Sequence, residues 1–259
     1  MSEREVSNET RTRGDFPTPP EYAALAHEYA RSTWGTDIYD WMWWDPCSGW
    51  GNLTKDCSPQ ARTFASTLLS EDVTVVRDGQ PHVIATQHDF LNGTDDELPP
   101  GLREHLRCQD AITFILNPPF TAGTGGQAVA EGEGKRSGVS ATRMGELMRS
   151  EKMGGACQRT TAQFLRRIVD VVRTHELNDA RVVLFSPATF ICGSGYDTFR
   201  SLWYDTFRPR GGFCFSARRF AGIKKGWPVV CSLWEAGRTT ERSVTVDVYQ
   251  DPNVVSGQH

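Results

Sequence analysis

No two cysteines stand at C-x-x-C spacing in the 259 residues; the seven thiols are scattered at 47, 57, 108, 157, 192, 214 and 231. That excludes a zinc ribbon, and the odd count argues against a disulfide framework, so a reducing cytoplasm is the expected setting. The six histidines show neither H-x-x-x-H spacing nor cysteine neighbours, and no metal is expected. An apolar run of membrane-spanning length is missing, as is a basic-then-apolar leader, so neither a membrane partner nor secretion is expected. Charge of one sign is also lacking. A net charge of −4 and a pI near 5.9 mean that any nucleic-acid contact must come from a local basic patch. Finally, no G-x-x-x-x-G-K-[ST] is present, and the G-x-G at 49–51 lacks the third glycine of the dinucleotide fingerprint, since position 54 is Thr54.

What is present alternates. Residues 21–33 and 160–177 carry apolar side chains at helical spacing. Between and after them, 38–44, 61–69, 82–86, 111–117 and 180–191 read as apolar, strand-like runs. Alternating strands and helices imply an α/β fold with a mostly parallel sheet covered on both faces. Residues 211–237 hold two strand-like pieces around a Gly-Ile-Lys-Lys-Gly turn, which predicts an antiparallel hairpin near the C-terminus. Residues 1–14 are polar and expected to be loose. Residues 121–155 are rich in glycine with little period, and are expected to form a long mobile loop inserted in one domain over 15–240, followed by a tail at 241–259.

Two turns interrupt this pattern at places where chemistry collects. "WDPCSGWGN" (44–52) follows the first aromatic strand, and its glycines allow backbone amides to approach a ligand. "ILNPPF" (115–120) ends a buried-looking strand in an amide, two prolines and an aromatic ring. The prolines have preset φ and donate no ladder hydrogen bond, so they fix the direction of the acceptors around them.

A D-P-x-x-G-x-G-N turn followed about 65 residues later by N-P-P-F resembles the S-adenosylmethionine-dependent amino-methyltransferases, and specifically the DNA N6-adenine methyltransferases of the gamma motif order. Further pieces resemble that family in sequence order: "DFPTPPEYA" (15–23), "ATQHDFLN" (85–92), "VVLFSPATFI" (182–191) and "RRFAGIKKGWPVVCSLW" (218–234). The likeness spans roughly residues 15 to 235 and implies a Rossmann-like class I methyltransferase fold with S-adenosylmethionine as cofactor and DNA as partner. Its short length resembles stand-alone phage or prophage enzymes.

The resemblance implies roles residue by residue. Asn117 and the Pro118 carbonyl would accept the two hydrogens of an adenine N6 amine, with Pro119 holding the turn and Phe120 stacking on a flipped base. Asp45, Pro46, Gly49 and Gly51 would surround the methionine part of the cofactor. Asp89 and Phe90 would meet its adenine, Phe16 and Thr18 would close the pocket, and Glu71 or Asp72 would take the ribose hydroxyls. Trp50 departs from the small residue the family usually has between the glycines. Phe220 with Trp227 behind it would hold the target base.

For DNA, residues 200–225 carry Arg200, Arg208, Arg210, Arg218, Arg219, Lys224 and Lys225 against Asp205, interleaved with aromatics, which predicts the local basic patch. Arg218, Arg219, Lys224 and Lys225 are the expected DNA contacts. Little sequence follows Trp234, so recognition is expected from 121–155, from 192–215, or from a partner, either a specificity subunit or a second copy. RNA bases, a protein glutamine, and a catalytically inactive DNA-binding scaffold stand as alternatives.

Overall fold

The computed structural model describes residues 16–122, 129–130, 142–221, 223 and 226–249. Its centre is an eight-stranded sheet in the order β10-β8-β9-β7-β4-β1-β2-β3. The strands are β1 (Met42–Asp45), β2 (Thr63–Thr67), β3 (Val83–Gln87), β4 (Ile112–Leu116), β7 (Ala180–Pro187), β8 (Phe207–Ser216), β9 (Pro228–Ala236) and β10 (Asp247–Val248). A small antiparallel pair, β5 (Thr121–Ala122) and β6 (Val129–Ala130), follows β4 in sequence. All neighbours in the large sheet run parallel except β9, which is antiparallel to both β7 and β8.

The helices are α1 (Pro20–Trp34), α2 (Ser70–Gly79), α3 (Pro100–Cys108), α4 (Arg143–Ser150), α5 (Thr160–Thr174), α6 (Thr189–Cys192) and α7 (Asp197–Tyr204). Pro20 and Pro100 open α1 and α3, where the missing N–H costs nothing. Strand alternation divides the core. Trp43, Ile115, Val183 and Leu233 face α1, while Trp44, Phe114, Leu184 and Trp234 face α3, α4, α5 and α7. Both central indoles are buried and paired: Trp43 donates to the Ile38 carbonyl at 3.0 Å and Trp44 to Ser66 Oγ at 3.0 Å.

Several expected boundaries move. Residues 38–40, read as part of the first strand, belong to a 3-10 turn over Thr36–Asp40, because Gly35 at φ 83 ends α1 and redirects the chain. The apolar run over 180–191 is a strand only to Pro187 and turns into α6, since Pro187 has no N–H with which to extend the ladder. The irregular loop expected over 121–155 contains α4, capped by Thr142 Oγ1 on Gly145 N–H at 2.9 Å, and Met144 and Met148 of that helix are core residues. Residues 1–14, 123–128 and 131–141 lie outside the described residues. Residues 241–259, read as a tail, contribute β10, which pairs parallel with β8.

Candidate functional site

Chain order sets the site's place. From β1 the chain winds outward through β2 and β3, then crosses back to β4 on the other side of β1 and continues to β7. The crevice beyond the carboxyl ends of β1 and β4 is therefore the topological switch point, where open α/β sheets bind ligands. The turns at 45–51 and 117–120 flank it.

A cleft of about 180 Å³ opens there, lined by Pro46, Cys47, Gly49, Thr67, Leu68, Leu69, Asp72, His88, Asp89, Phe90, Leu91, Pro119, Thr160 and Phe164. Gly49 has φ +48 and nothing within 4 Å of where a Cβ would stand, so its backbone is open to a ligand. Gly51 differs: at φ +77 its Cβ would lie 2.5 Å from Gln80 Nε2. Gln80 donates to the Gly51 carbonyl at 2.8 Å and accepts from Thr54 Oγ1 at 2.8 Å, holding the turn from behind. Trp50 is not among the lining residues, so it leaves the cleft clear.

Asp45 is buried beneath this turn. Its Oδ1 accepts the Cys47 backbone N–H at 2.9 Å, yet burial pushes its carboxyl up to about 7. Asp89 folds its carboxylate onto its own loop, accepting from Leu91 N and Asn92 N at 3.1 Å each. Phe90 lines the cleft with its ring wedged edge-on to Trp44 and stacked on Phe164. His88 is buried with neither ring nitrogen hydrogen-bonded among the described residues; burial holds it below the usual imidazole range, opposed by the Glu97 carboxylate 3.8 Å from Nδ1. Of the two acids considered for the ribose, Glu71 is exposed and away from the cleft, while Asp72 lines it and accepts from Thr67 Oγ1 at 3.4 Å. Both sit in the first turn of α2; the helix turns the second inward.

On the other side of the switch point, Asn117 is held by the segment leading into α1. Its Nδ2 donates to the Phe16 carbonyl at 2.9 Å and to Thr18 Oγ1 at 3.0 Å. A carbonyl can only accept, so the amide face toward Phe16 is the NH2 and Oδ1 points the other way. That Oδ1 is buried with no hydrogen-bond partner among the described residues. Thr18 also offers its carbonyl to Asn52 Nδ2 at 2.8 Å, so one short strap bonds both turns. Phe16 and Thr18 do not line the cleft itself.

The expected aromatic platform is covered. Phe120 and Phe220 are each 1% exposed and pack edge to face at 5.8 Å, with Phe16 and Phe215 around Phe220. Trp227 is half-buried against the same cluster. The basic patch expected over 200–225 does not form as one surface. β8 spans roughly 30 Å at about 3.3 Å per residue, so Arg208 and Arg210 sit at the opposite end of the sheet from Arg218 and Arg219. There they pair with Glu235, at 2.6 and 3.6 Å. Arg200 caps the Phe190 and Gly193 carbonyls and pairs with Asp197. Arg218 is exposed at the cleft end, and Arg219 donates to Tyr22 Oη at 3.1 Å. Lys224 and Lys225 lie outside the described residues.

Solved structures share this architecture. The DrdV–DNA complex superposes with a TM-score of 0.63 at 15% identity, over 94% of this chain and 28% of that one. A modification subunit of a putative type I restriction enzyme from Vibrio vulnificus gives 0.57 at 14% identity, covering 95% and 48%. A putative class I S-adenosylmethionine-dependent methyltransferase from Listeria monocytogenes gives 0.56 at 8% identity, covering 89% and 65%. The fold is the class I methyltransferase fold. This chain thus spans between 28% and 65% of the length of these three proteins. No protein-family model and no curated protein sequence matches the chain. In that fold β9 is the reversed strand that enters the sheet between β7 and β8, the hairpin expected from residues 211–237.

Gln80, Thr67, His88, Thr160 and Phe164 escaped the sequence reading. Only Gln80 had a signal available, a polar residue at the end of an amphipathic helix where a buried partner was needed. The rest meet the cleft through tertiary packing.

Proposed function

We propose that this chain is an S-adenosylmethionine-dependent methyltransferase acting on the N6 amine of a flipped-out adenine in DNA, in the reducing cytoplasm where its seven thiols stay unbridged. The observation that carries the reading is the Asn117 amide: both of its N–H bonds are taken by the strap, and its buried oxygen has no donor among the described residues. A buried acceptor without a partner costs about 1–3 kcal/mol. The amine of a purine would supply that donor.

The cleft fits the cofactor by its donor set. Gly49 leaves backbone open, Asp72 offers a carboxylate, Phe90 and Leu69 offer apolar wall, and Pro46 lines the turn side, while the Asp89 carboxylate holds its own loop in place beside them. Bound there, the cofactor would supply a sulfonium methyl for transfer to the amine nitrogen, its sulfur keeping the carbon–sulfur electron pair and the displaced amine proton passing to water. Asn117 Oδ1 and the Pro118 carbonyl, which no described backbone N–H reaches, accept from the amine and hold its lone pair toward the methyl. Pro119 belongs to both the turn and the cleft wall, so it joins the two subsites. Phe120 and Phe220 must part for a base to stack between them. Arg218, and Lys224 and Lys225 in the same sequence stretch, would meet phosphates.

Two of the structural neighbours support DNA as the substrate, one being a DNA complex and one a modification subunit. The chain spans 28% and 48% of those proteins, and a specificity subunit or second copy would supply the remaining recognition. The test is to incubate the protein with tritiated S-adenosylmethionine and, in parallel, unmethylated duplex DNA, total RNA and a release-factor protein, then to identify the labelled unit. N6-methyladenine from DNA is expected. Label in RNA or protein would retain the Asn117 chemistry and replace the substrate; absence of label with every substrate would overturn the reading.

A further inference from the structure

We infer that Arg167 of α5 is a positioning residue for the cofactor cleft: acting through Phe90 and Asp95, it fixes the loop over residues 88–98 that supplies one wall. This rests on the methyltransferase reading above. His88, Asp89, Phe90 and Leu91 of that loop line the cleft.

Arg167 is 4% exposed, and its guanidinium lies over the Phe90 ring, 5.8 Å from the centroid. Phe164, one turn earlier on α5, stacks on the same ring at 5.5 Å. A guanidinium only donates, so the sense of its bonds is fixed. Nη1 donates to Asp170 at 2.9 Å and Nη2 donates to Asp95. Asp170 belongs to α5 itself, whereas Asp95 belongs to the loop, five residues beyond Phe90. One buried side chain therefore grips the loop twice, by a charge-assisted bond at Asp95 and by the face of a ring at Phe90. His175, just past the end of α5, donates to the other Asp95 oxygen at 2.9 Å and secures the same end. The Arg167 Nε has no hydrogen-bond acceptor among the described residues, so loss of either grip leaves a buried charge with less to compensate it. Arg166 supplies the contrast. It is also buried and bonded, to Glu151 at 2.7 and 2.9 Å, but that partner lies at the end of α4 and not in the loop.

Arg167→Met keeps much of the length and removes the charge; Arg167→Lys keeps the charge and loses the fork. Three quantities would be read on the full chain: the Kd for S-adenosylmethionine by calorimetry, kcat for DNA methylation at saturating S-adenosylmethionine, and hydrogen exchange of the backbone amides over 89–93. For Arg167→Met the expected result is a Kd raised about tenfold, in line with one lost ring contact, a kcat within about twofold of wild type, and exchange faster by about tenfold. Arg167→Lys should lie between that variant and wild type. Arg166→Met removes a comparable ion pair from the same helix and should leave Kd and exchange within about twofold. In a Phe90→Leu background, Arg167→Met should raise Kd by less than about threefold, because the ring it acts through is gone.

An unchanged Kd in a folded Arg167→Met would overturn the inference. So would an equal rise in Arg166→Met, which would make the effect general to α5, or the full rise in the Phe90→Leu background, which would make Arg167 a direct cofactor contact. If Arg167→Met does not fold, unchanged Kd and exchange in Arg167→Lys would overturn it. If wild type binds no S-adenosylmethionine, the methyltransferase reading fails separately, and unaltered exchange over 89–93 in the Arg167 variants would still overturn the positioning role.

Discussion

At the N-terminal end of the parallel strands, Glu235 takes the Trp34 indole at 3.0 Å on one oxygen and Arg208 at 2.6 Å on the other, with Arg210 beside them. Arg181 lies over the Trp41 ring at 3.5 Å, which compensates its partly unpaired guanidinium. At the C-terminal end, Asn117 Oδ1, both nitrogens of His88 and Ser48 Oγ are buried with no hydrogen-bond partner among the described residues. The N-terminal end also keeps buried polar atoms without hydrogen-bond partners among the described residues, Thr113 Oγ1 and His82 Nε2 included, but at the C-terminal end one such group, His88, lines an open cleft. A fold tolerates such groups where a ligand completes them, because leaving each one unmade costs about 1–3 kcal/mol. The two ends therefore differ by the cleft and not by the presence of unpaired groups.

The sharpest way to break that contrast is Asn117→Ala. Loss of the acceptor should lower methyl transfer by about a thousandfold, roughly 4 kcal/mol, with S-adenosylmethionine affinity unchanged by calorimetry; near-normal turnover would remove Asn117 from the chemistry. Asp45 comes next. Its folded carboxyl titrates near 7 against 3.8 when unfolded, so the native state holds the extra proton between those values and stability falls as pH rises through that window. Asp45→Asn should abolish that slope and raise ligand-free stability at pH 7 by at most about 4 kcal/mol, measured by urea unfolding at pH 5 and 7. A slope that persists in the variant would assign it elsewhere.

Smaller effects separate the two glycines. Gly51→Ala should cost about 2–3 kcal/mol, because strain at positive φ adds to the clash with Gln80, whereas Gly49→Ala should cost about 1 kcal/mol and act mainly on cofactor affinity. Equal melting points for the two variants would contradict the distinct packing. The smallest expected effects belong to the arginines. Arg218→Ala should reduce the salt dependence of DNA binding by about one phosphate contact, while Arg208→Ala at the far end should leave it unchanged and cost under about 1 kcal/mol of stability.

How far the sequence reaches follows from the range of each interaction. The Asp45 and Asn117 turns are legible because strand periodicity, glycine and proline act over a few neighbouring residues. Helix α5 and strand β4 were readable for the same reason. The covering of Phe120 by Phe220 was not, since it depends on a contact between segments 100 residues apart in sequence. The choice of Asp72 over Glu71 turns on the rotation of one helix, and the division of the arginines on the length of β8. Composition placed seven cations in one stretch; the pleated strand carried two of them to the opposite end.

The strap also bears on the order of assembly. Asn117 and Phe16 are 101 residues apart in the chain yet share a hydrogen bond. During synthesis at about 5–20 residues per second, the strap leaves the ribosome roughly 5–20 seconds before its partner exists. Over that interval its bond to Asn117 cannot form, and the amide acquires its direction only once both segments are present. The segment made early thus completes the site only when a segment made late arrives.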